Sequence, residues 1–282
     1  NNAMDRVRIT EEVQFEGITL SQSFLKVAPG DTKAFALNNT PYESSDDATA
    51  NYSLKSTDSV FMYLLPLAGK IGFNGDIEAI KKAITPKTKL ILVSHIINIT
   101  GQILPIRKIC DMAHAKGVKV MVDGAHAFAH IQYKISELNC DYYGTSLHKW
   151  MSVPLGAGFL YVRKGEAPKL WPLLGDRLPK EDVYRLNHTG THPCATDLTI
   201  ADAIDFFNMI GADKKEARLR FLKDYWTSRV KENTKIILNT PLDATRSCGI
   251  ANVGIEGMTP GTLAKRLLDE HKVYTVPIDY AN

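Results

Sequence analysis

The chain carries the run Val122-Asp123-Gly124-Ala125-His126 and, further on, Ser146-Leu147-His148-Lys149-Trp150. An acid that closes an apolar run and a lysine in a later segment can share one task. The amine bonds a carbonyl carbon as a Schiff base, and the carboxylate keeps a ring nitrogen protonated. That is the pairing pyridoxal phosphate needs, because its pyridine ring accepts carbanion electrons only while protonated. A carboxylate ~4 Å from the pyridinium, at an effective dielectric of ~20, is worth ~4 kcal/mol before desolvation is subtracted, or about three pK units. A lysine of ordinary pKa ~10.4 is a poor nucleophile at neutral pH, and desolvation or a nearby cationic ring favours its neutral form.

The elements that hold these residues follow from periodicity and punctuation. Asp76 to Ile80 opens a helix with Ile77, Ile80 and Ile84 on one face, stopped at Pro86. Lys89 to Ser94 is a continuous apolar run of the kind found in a parallel sheet covered by helices. Pro105 starts a helix through Ile106, Ile109, Met112 and Ala113 that Gly117 ends, and Val118 to Val122 forms the next strand. Strand, helix, strand argues for an open α/β sheet with ligands beyond the carboxyl ends of its strands, where Asp123 falls. A strand from Asp141 to Tyr143 leads toward Lys149, and Phe159 to Val162 returns as its neighbour. Gly156-Ala157-Gly158 between them marks a tight turn rather than a phosphate loop. Helical patterns over 197–210 and 214–230, strands over 235–238 and 250–255, and a helix over 260–271 predict a small C-terminal domain. Within them, Lys214 to Arg218 reads as a solvated helix face.

From about Leu90 to Ile210 these stretches resemble the class V aminotransferase family of fold-type I pyridoxal enzymes. The likeness runs through Ser94-His95-Ile96-Ile97-Asn98-Ile99-Thr100-Gly101, the Asp123 and Lys149 segments, Gly156-Ala157-Gly158 and His188-Thr189-Gly190-Thr191. The wording is most similar to the isopenicillin N epimerase-like branch; cysteine desulfurases and selenocysteine lyases belong to the same family. The resemblance implies an α/β fold-type I PLP-dependent transferase, a mostly parallel sheet with helices on both faces, plus a smaller C-terminal α+β domain. Residues 1–209 would form the large cofactor domain and 210–282 the smaller one. It also implies that Asp123 bonds the pyridine nitrogen, that His126 sits beside the phenolic oxygen, and that Lys149 is the Schiff-base lysine. Ser146 and His148 would hold the phosphate, and Asn98 would lie near the phenolic oxygen and substrate. Thr191 would reach the phosphate of a neighbouring subunit, which implies a homodimer.

The chain also departs from the family. Neither the Gly/Thr phosphate loop nor the ring-stacking residue that precede the aspartate is found. Tyr52 to Met62 resembles the segment between those two elements, whereas Tyr63 onward resembles a part much further downstream, so the pattern changes near 48–51 and 62–63. The family's arginine for the substrate carboxylate has no counterpart before Asn282. Pro277-Ile278-Asp279-Tyr280 lacks the cysteine that desulfurases place after the matching strand, and Cys248 is not its counterpart.

Composition narrows the partners. A net charge of +3 spread over interspersed Lys, Arg, Asp and Glu offers no basic stripe for nucleic acid. Four scattered cysteines without C-x-x-C spacing fit neither zinc knuckle nor disulfide framework and favour a reducing, cytoplasmic setting. No apolar run reaches membrane-spanning length. His126 and His130 are spaced i,i+4, but Ala127, Phe128 and Ala129 stand where a zinc protease carries its glutamate, so no metal is expected. His95, His114 and His130 read as core-edge residues, and Trp150, Trp171, Tyr142 and Tyr143 as packing groups. The expectation is a pyridoxal phosphate enzyme acting at the Cα of an amino acid or small amine, as an epimerase or aminotransferase. A cysteine desulfurase or selenocysteine lyase is the second reading, and a degenerate, non-catalytic binding protein the third.

Overall fold

The computed structural model describes residues 6–15, 18–26, 32–38, 49–55, 61–64, 77–172, 177–187, 190–191 and 194–278. The chain divides into two compact units, one of 1–62 with 82–90 and one of 63–81 with 91–282. In the first, β1 (Arg6–Phe15) pairs antiparallel with β2 (Ile18–Lys26), and β3 (Thr32–Asn38) with β4 (Thr49–Lys55). Only their backbone is described, so the side chains around 48–51 and 62–63, where the family pattern changes, lie outside the described residues.

A five-stranded sheet has its strands side by side in chain order: β5 (Phe61–Leu64), β6 (Leu90–Ser94), β7 (Lys119–Asp123), β8 (Tyr142–Ser146) and β9 (Gly158–Val162). β7 and β8 run parallel with Asp123 opposite Gly144, and β9 returns antiparallel with Gly158 opposite Ser146. The result is the expected α/β architecture, a mostly parallel sheet with helices.

The helix α1 (Ile77–Ala83) falls where the isoleucine spacing predicts it. α2 (Ile106–His114) connects β6 to β7, and its buried Ile106, Ile109, Cys110 and Ala113 form one i, i+3, i+4, i+7 stripe. Val120 and Val122 are fully buried, which leaves the alternate positions, Asp123 among them, on the other side of the pleat. Gly156 adopts φ +113° and a Cβ at Gly158 would lie 2.6 Å from the Thr145 carbonyl oxygen, so both glycines serve the turn into β9.

Three short helical stretches escaped the sequence patterns: α3 (Ile135–Leu138) and two 3-10 turns. α4 (Ala195–Leu198), α5 (Ile200–Ile210) and α6 (Ala212–Val230) follow. β10 (Ile236–Leu238) pairs antiparallel with β11 (Val253–Ile255), and α7 spans Pro260–His271 as expected. The strand predicted from Ile250 begins only at Val253. Residues before it pack elsewhere: a Cβ at Gly101 would sit 2.1 Å from the Ile250 carbonyl oxygen, and the Asn252 N–H donates to Thr240 Oγ1 at 2.7 Å.

The Lys214–Arg218 face is not simply solvated, which corrects the sequence reading. Lys214 and Arg218 are exposed, but Lys215 donates to the Trp150 carbonyl and Glu216 accepts from the Gln132 N–H at 2.8 Å. One face of α6 is therefore a polar clamp on the loops that follow β7 and β8.

Candidate active site

Asp123 closes β7, and its Oδ1 accepts the Ala125 N–H at 2.9 Å while its carbonyl accepts the His95 N–H at 2.8 Å. The carboxylate is thus held in a local turn at the carboxyl end of the strand. Glycine is required next, because a Cβ at position 124 would lie 1.7 Å from Tyr143 Oη. The Ala127 and Phe128 N–H groups both donate to the Gly124 carbonyl at 2.9 Å, winding the chain into a tight turn that carries His126.

Lys149 sits on the connection from β8 to β9. The Leu147 N–H donates to Ala157, and the Val153 N–H to Leu147. Leu147, Met151, Val153 and Ala157 are buried together, which anchors the backbone on both sides of an exposed Lys149. Its Nζ lies 3.0 Å from His126 Nε2.

Burial, then the positive charge of Lys149 and a smaller contribution from His148, lower His126 to about 4, against the opposing pull of Asp123. The imidazole is therefore neutral at pH 7, and with Lys149 Nζ as the donor its Nε2 accepts. The proton then resides on Nδ1, which is buried and has no partner among the described residues. An orphaned buried N–H is costly, and a ligand oxygen would relieve it. A primary amine, a strand-end carboxylate and an unsatisfied imidazole N–H form a donor set that fits pyridoxal phosphate.

The remaining expected residues are less closely joined. Half-buried His148 acts on His126 electrostatically, and Ser146 ends β8 opposite Gly158. Asn98, after β6, and Thr191 are exposed, and no hydrogen bond or ion pair between described residues links either to Lys149. His188 and Thr189 lie outside the described residues.

Sequence reasoning missed what surrounds the pair. His130 is buried, its Nδ1 bonds the His126 carbonyl at 2.7 Å, its Nε2 accepts from the Gly249 N–H at 2.8 Å, and its ring stacks on Trp150. No group of three His, Cys, Asp or Glu suited to a metal occurs among the described residues. His130's spacing from His126 was legible, but its partners at 150 and 249 were not. A cleft of about 410 Å³ nearby is lined by Phe128, Tyr133, Met151, Ile204 and Phe207 among others, and by none of Asp123, His126 or Lys149. Its walls are largely apolar, whereas the Lys149 amine and the His126 imidazole meet outside it.

The aminotransferase class-V family pattern matches residues 68–275. A probable cysteine desulfurase of Halalkalibacterium halodurans is 31% identical over 222 residues, 74% of this chain and 52% of that protein. The isopenicillin N epimerase of Streptomyces clavuligerus is 32% identical over 202 residues, 66% of this chain and 50% of the epimerase. The chain thus spans about half the length of the curated relatives it matches. Among solved structures, the apo cysteine desulfurase from Thermococcus onnurineus NA1 superposes with a TM-score of 0.60 at 24% identity, covering 71% of this chain and 52% of that one. That likeness supports the fold alone.

Proposed function

Since the chain belongs to the aminotransferase class-V family, whose members depend on pyridoxal phosphate, we propose that it acts at the Cα of an amino acid or small amine, as an epimerase or transaminase. The observation that carries this reading is the 3.0 Å approach of Lys149 Nζ to His126 Nε2 at the strand end that also presents Asp123. When bound, the cofactor supplies a protonated ring that accepts the electron pair left at Cα. Asp123 would hold the proton on the ring nitrogen, Lys149 would carry the covalent attachment, and Ser146 and His148 would hold the phosphate. His126 takes a proton only near pH 4, so it serves as a hydrogen-bond partner rather than a base at neutral pH. The base for the Cα proton is then the Lys149 amine. Asn98 near the substrate and Thr191 near a partner subunit's phosphate complete the proposed site, in a homodimer.

The deciding experiment is a titration with pyridoxal phosphate followed by borohydride trapping, for wild type beside Lys149→Ala. Only the wild type is expected to become covalently labelled; equal labelling of the variant would move the assignment to another lysine. A second reading, cysteine desulfurase, is favoured by the similarity to the Halalkalibacterium protein. Against it, burial pushes the thiols of Cys110, Cys140 and Cys248 up to about 12, 11 and 11, far from the thiolate a persulfide needs. Cys194 alone is exposed. Sulfide and alanine release from cysteine would support this second reading, whereas solvent deuterium exchange at Cα without net loss supports epimerisation.

A further inference from the structure

The Lys149 amine ends a long, exposed side chain on a connection outside regular secondary structure, so its position depends on what holds the backbone beneath it. Its neighbour Trp150 is held from two sides. The Trp150 ring stacks on His130 with centroids 3.8 Å apart and planes 18° apart, and the Trp150 carbonyl accepts from Lys215 Nζ on α6. His130 is in turn held at both ring nitrogens. Its Nδ1–H donates to the His126 carbonyl and its Nε2 accepts the Gly249 N–H, which fixes one neutral tautomer. A Cβ at Gly249 would lie 3.0 Å from that Nε2, so glycine is what lets the N–H come this close. One ring therefore touches the backbone of His126 and the side chain next to Lys149, the two residues whose side chains meet at 3.0 Å.

We propose that His130, stacked on Trp150, is a positioning residue that holds the Lys149 amine in register with His126. Lys215 anchors the far side of the same brace. The proposal rests on Lys149 being the residue that attaches the cofactor. The indole Nε1 of Trp150 is buried with no partner among the described residues, so the ring face carries the contact and the N–H does not. A phenyl ring at position 150 should then preserve the brace, and a methyl group should abolish it.

The test is the kinetics of pyridoxal phosphate attachment, in which the amine nitrogen adds to the aldehyde carbon, water leaves, and borohydride hydride then reduces the C=N bond. Dependence of the rate on cofactor concentration separates the encounter affinity from the first-order attachment step, and peptide mapping locates the label. We expect the first-order step to fall about tenfold in Trp150→Ala and His130→Ala, with encounter affinity within about twofold of wild type, and Trp150→Phe to restore it. If either alanine variant fails to fold, Lys215→Met reads the same step through the outer anchor, with a fall of about threefold expected. A folded Trp150→Ala that attaches cofactor at the wild-type first-order rate overturns the proposal. So does a loss confined to encounter affinity, or a Lys215→Met variant with an unaltered step. A wild type that is not labelled at Lys149 refutes the cofactor reading itself, and the positioning role with it.

Discussion

Asp123, His126 and Lys149 have side chains that could do little alone, and their chemistry depends on which proton each holds. The Asp123 carboxylate is the group proposed to keep the cofactor ring protonated, so Asp123→Asn should retain attachment at Lys149 and slow Cα hydrogen exchange. At ~4 kcal/mol for the lost charge pair the slowing approaches ~10³-fold; deuterium uptake by a substrate amino acid measures it. His95 makes a different kind of prediction. Burial lowers it from 6.5 to about 4, and its Nδ1 has no partner among the described residues. Between those pH values the unfolded chain binds a proton that the folded chain refuses, so stability rises with pH across the window and is lost as pH falls through it. The loss from His95 is ~3 kcal/mol by pH 4. His95→Phe keeps the edge contact with Tyr133, whose ring centroid lies 4.6 Å away, and should lessen the pH dependence of the urea midpoint, the rest coming from His126 and His130, which burial also lowers to about 4. An unchanged slope would show that the proton uptake belongs elsewhere.

At the scale of elements, the entry to β8 depends on a buried charge. Asp141 is 1% exposed and accepts from Lys119 Nζ at 3.1 Å and the Val120 N–H at 2.8 Å, with His114 Nε2 at 2.7 Å. Burial pushes its carboxyl up, but the bonds from His114, Val120 and Lys119 outweigh that and hold it below the usual carboxylate range. Together they pin the start of β8 to β7 and α2, and so set where Ser146 and Lys149 emerge. Asp141→Asn leaves Lys119 paired with Glu166 at 2.9 Å but weakens the charged bonds to His114 and the Val120 N–H, and should cost ~2 kcal/mol in chemical denaturation. The smaller sheet depends on α7, whose first turn is capped by Thr259 Oγ1 accepting the Thr262 N–H at 3.2 Å, with Pro260 at the first helical position. Thr259→Ala should cost about 1 kcal/mol, measured the same way, and leave cofactor attachment untouched.

For the whole molecule, the proposed division into a cofactor domain over 1–209 and a smaller domain over 210–282 has a mechanical consequence. Lys215 and Gly249, from the second stretch, brace the loops that carry His126 and Lys149 in the first. Domain packing and site geometry are then one problem. We further expect a homodimer, with a sedimentation mass twice the 31.3 kDa of the chain; a species at the chain mass alone at micromolar concentration would refute it. Among the described residues, no helix is long and apolar enough to cross a membrane.

The apolar run before Asp123, the helix α2 that Pro105 starts and Gly117 ends, the glycines at the turn into β9 and the span of α7 were all legible in the chain. Each rests on local rules: period, breaker residues and backbone conformations open only to glycine. The pairing of an acid with a later lysine was legible for the same reason, as residue types in a fixed order along adjacent strands. What only the tertiary structure decided is contact across large sequence separations: the amine of Lys149 against His126, the ring of His130 between Trp150 and Gly249, and the clamp of α6 on the Trp150 carbonyl. No periodicity encodes these, because they arise where independent elements pack, and a histidine's tautomer or a lysine's burial is set by whichever distant group arrives beside it.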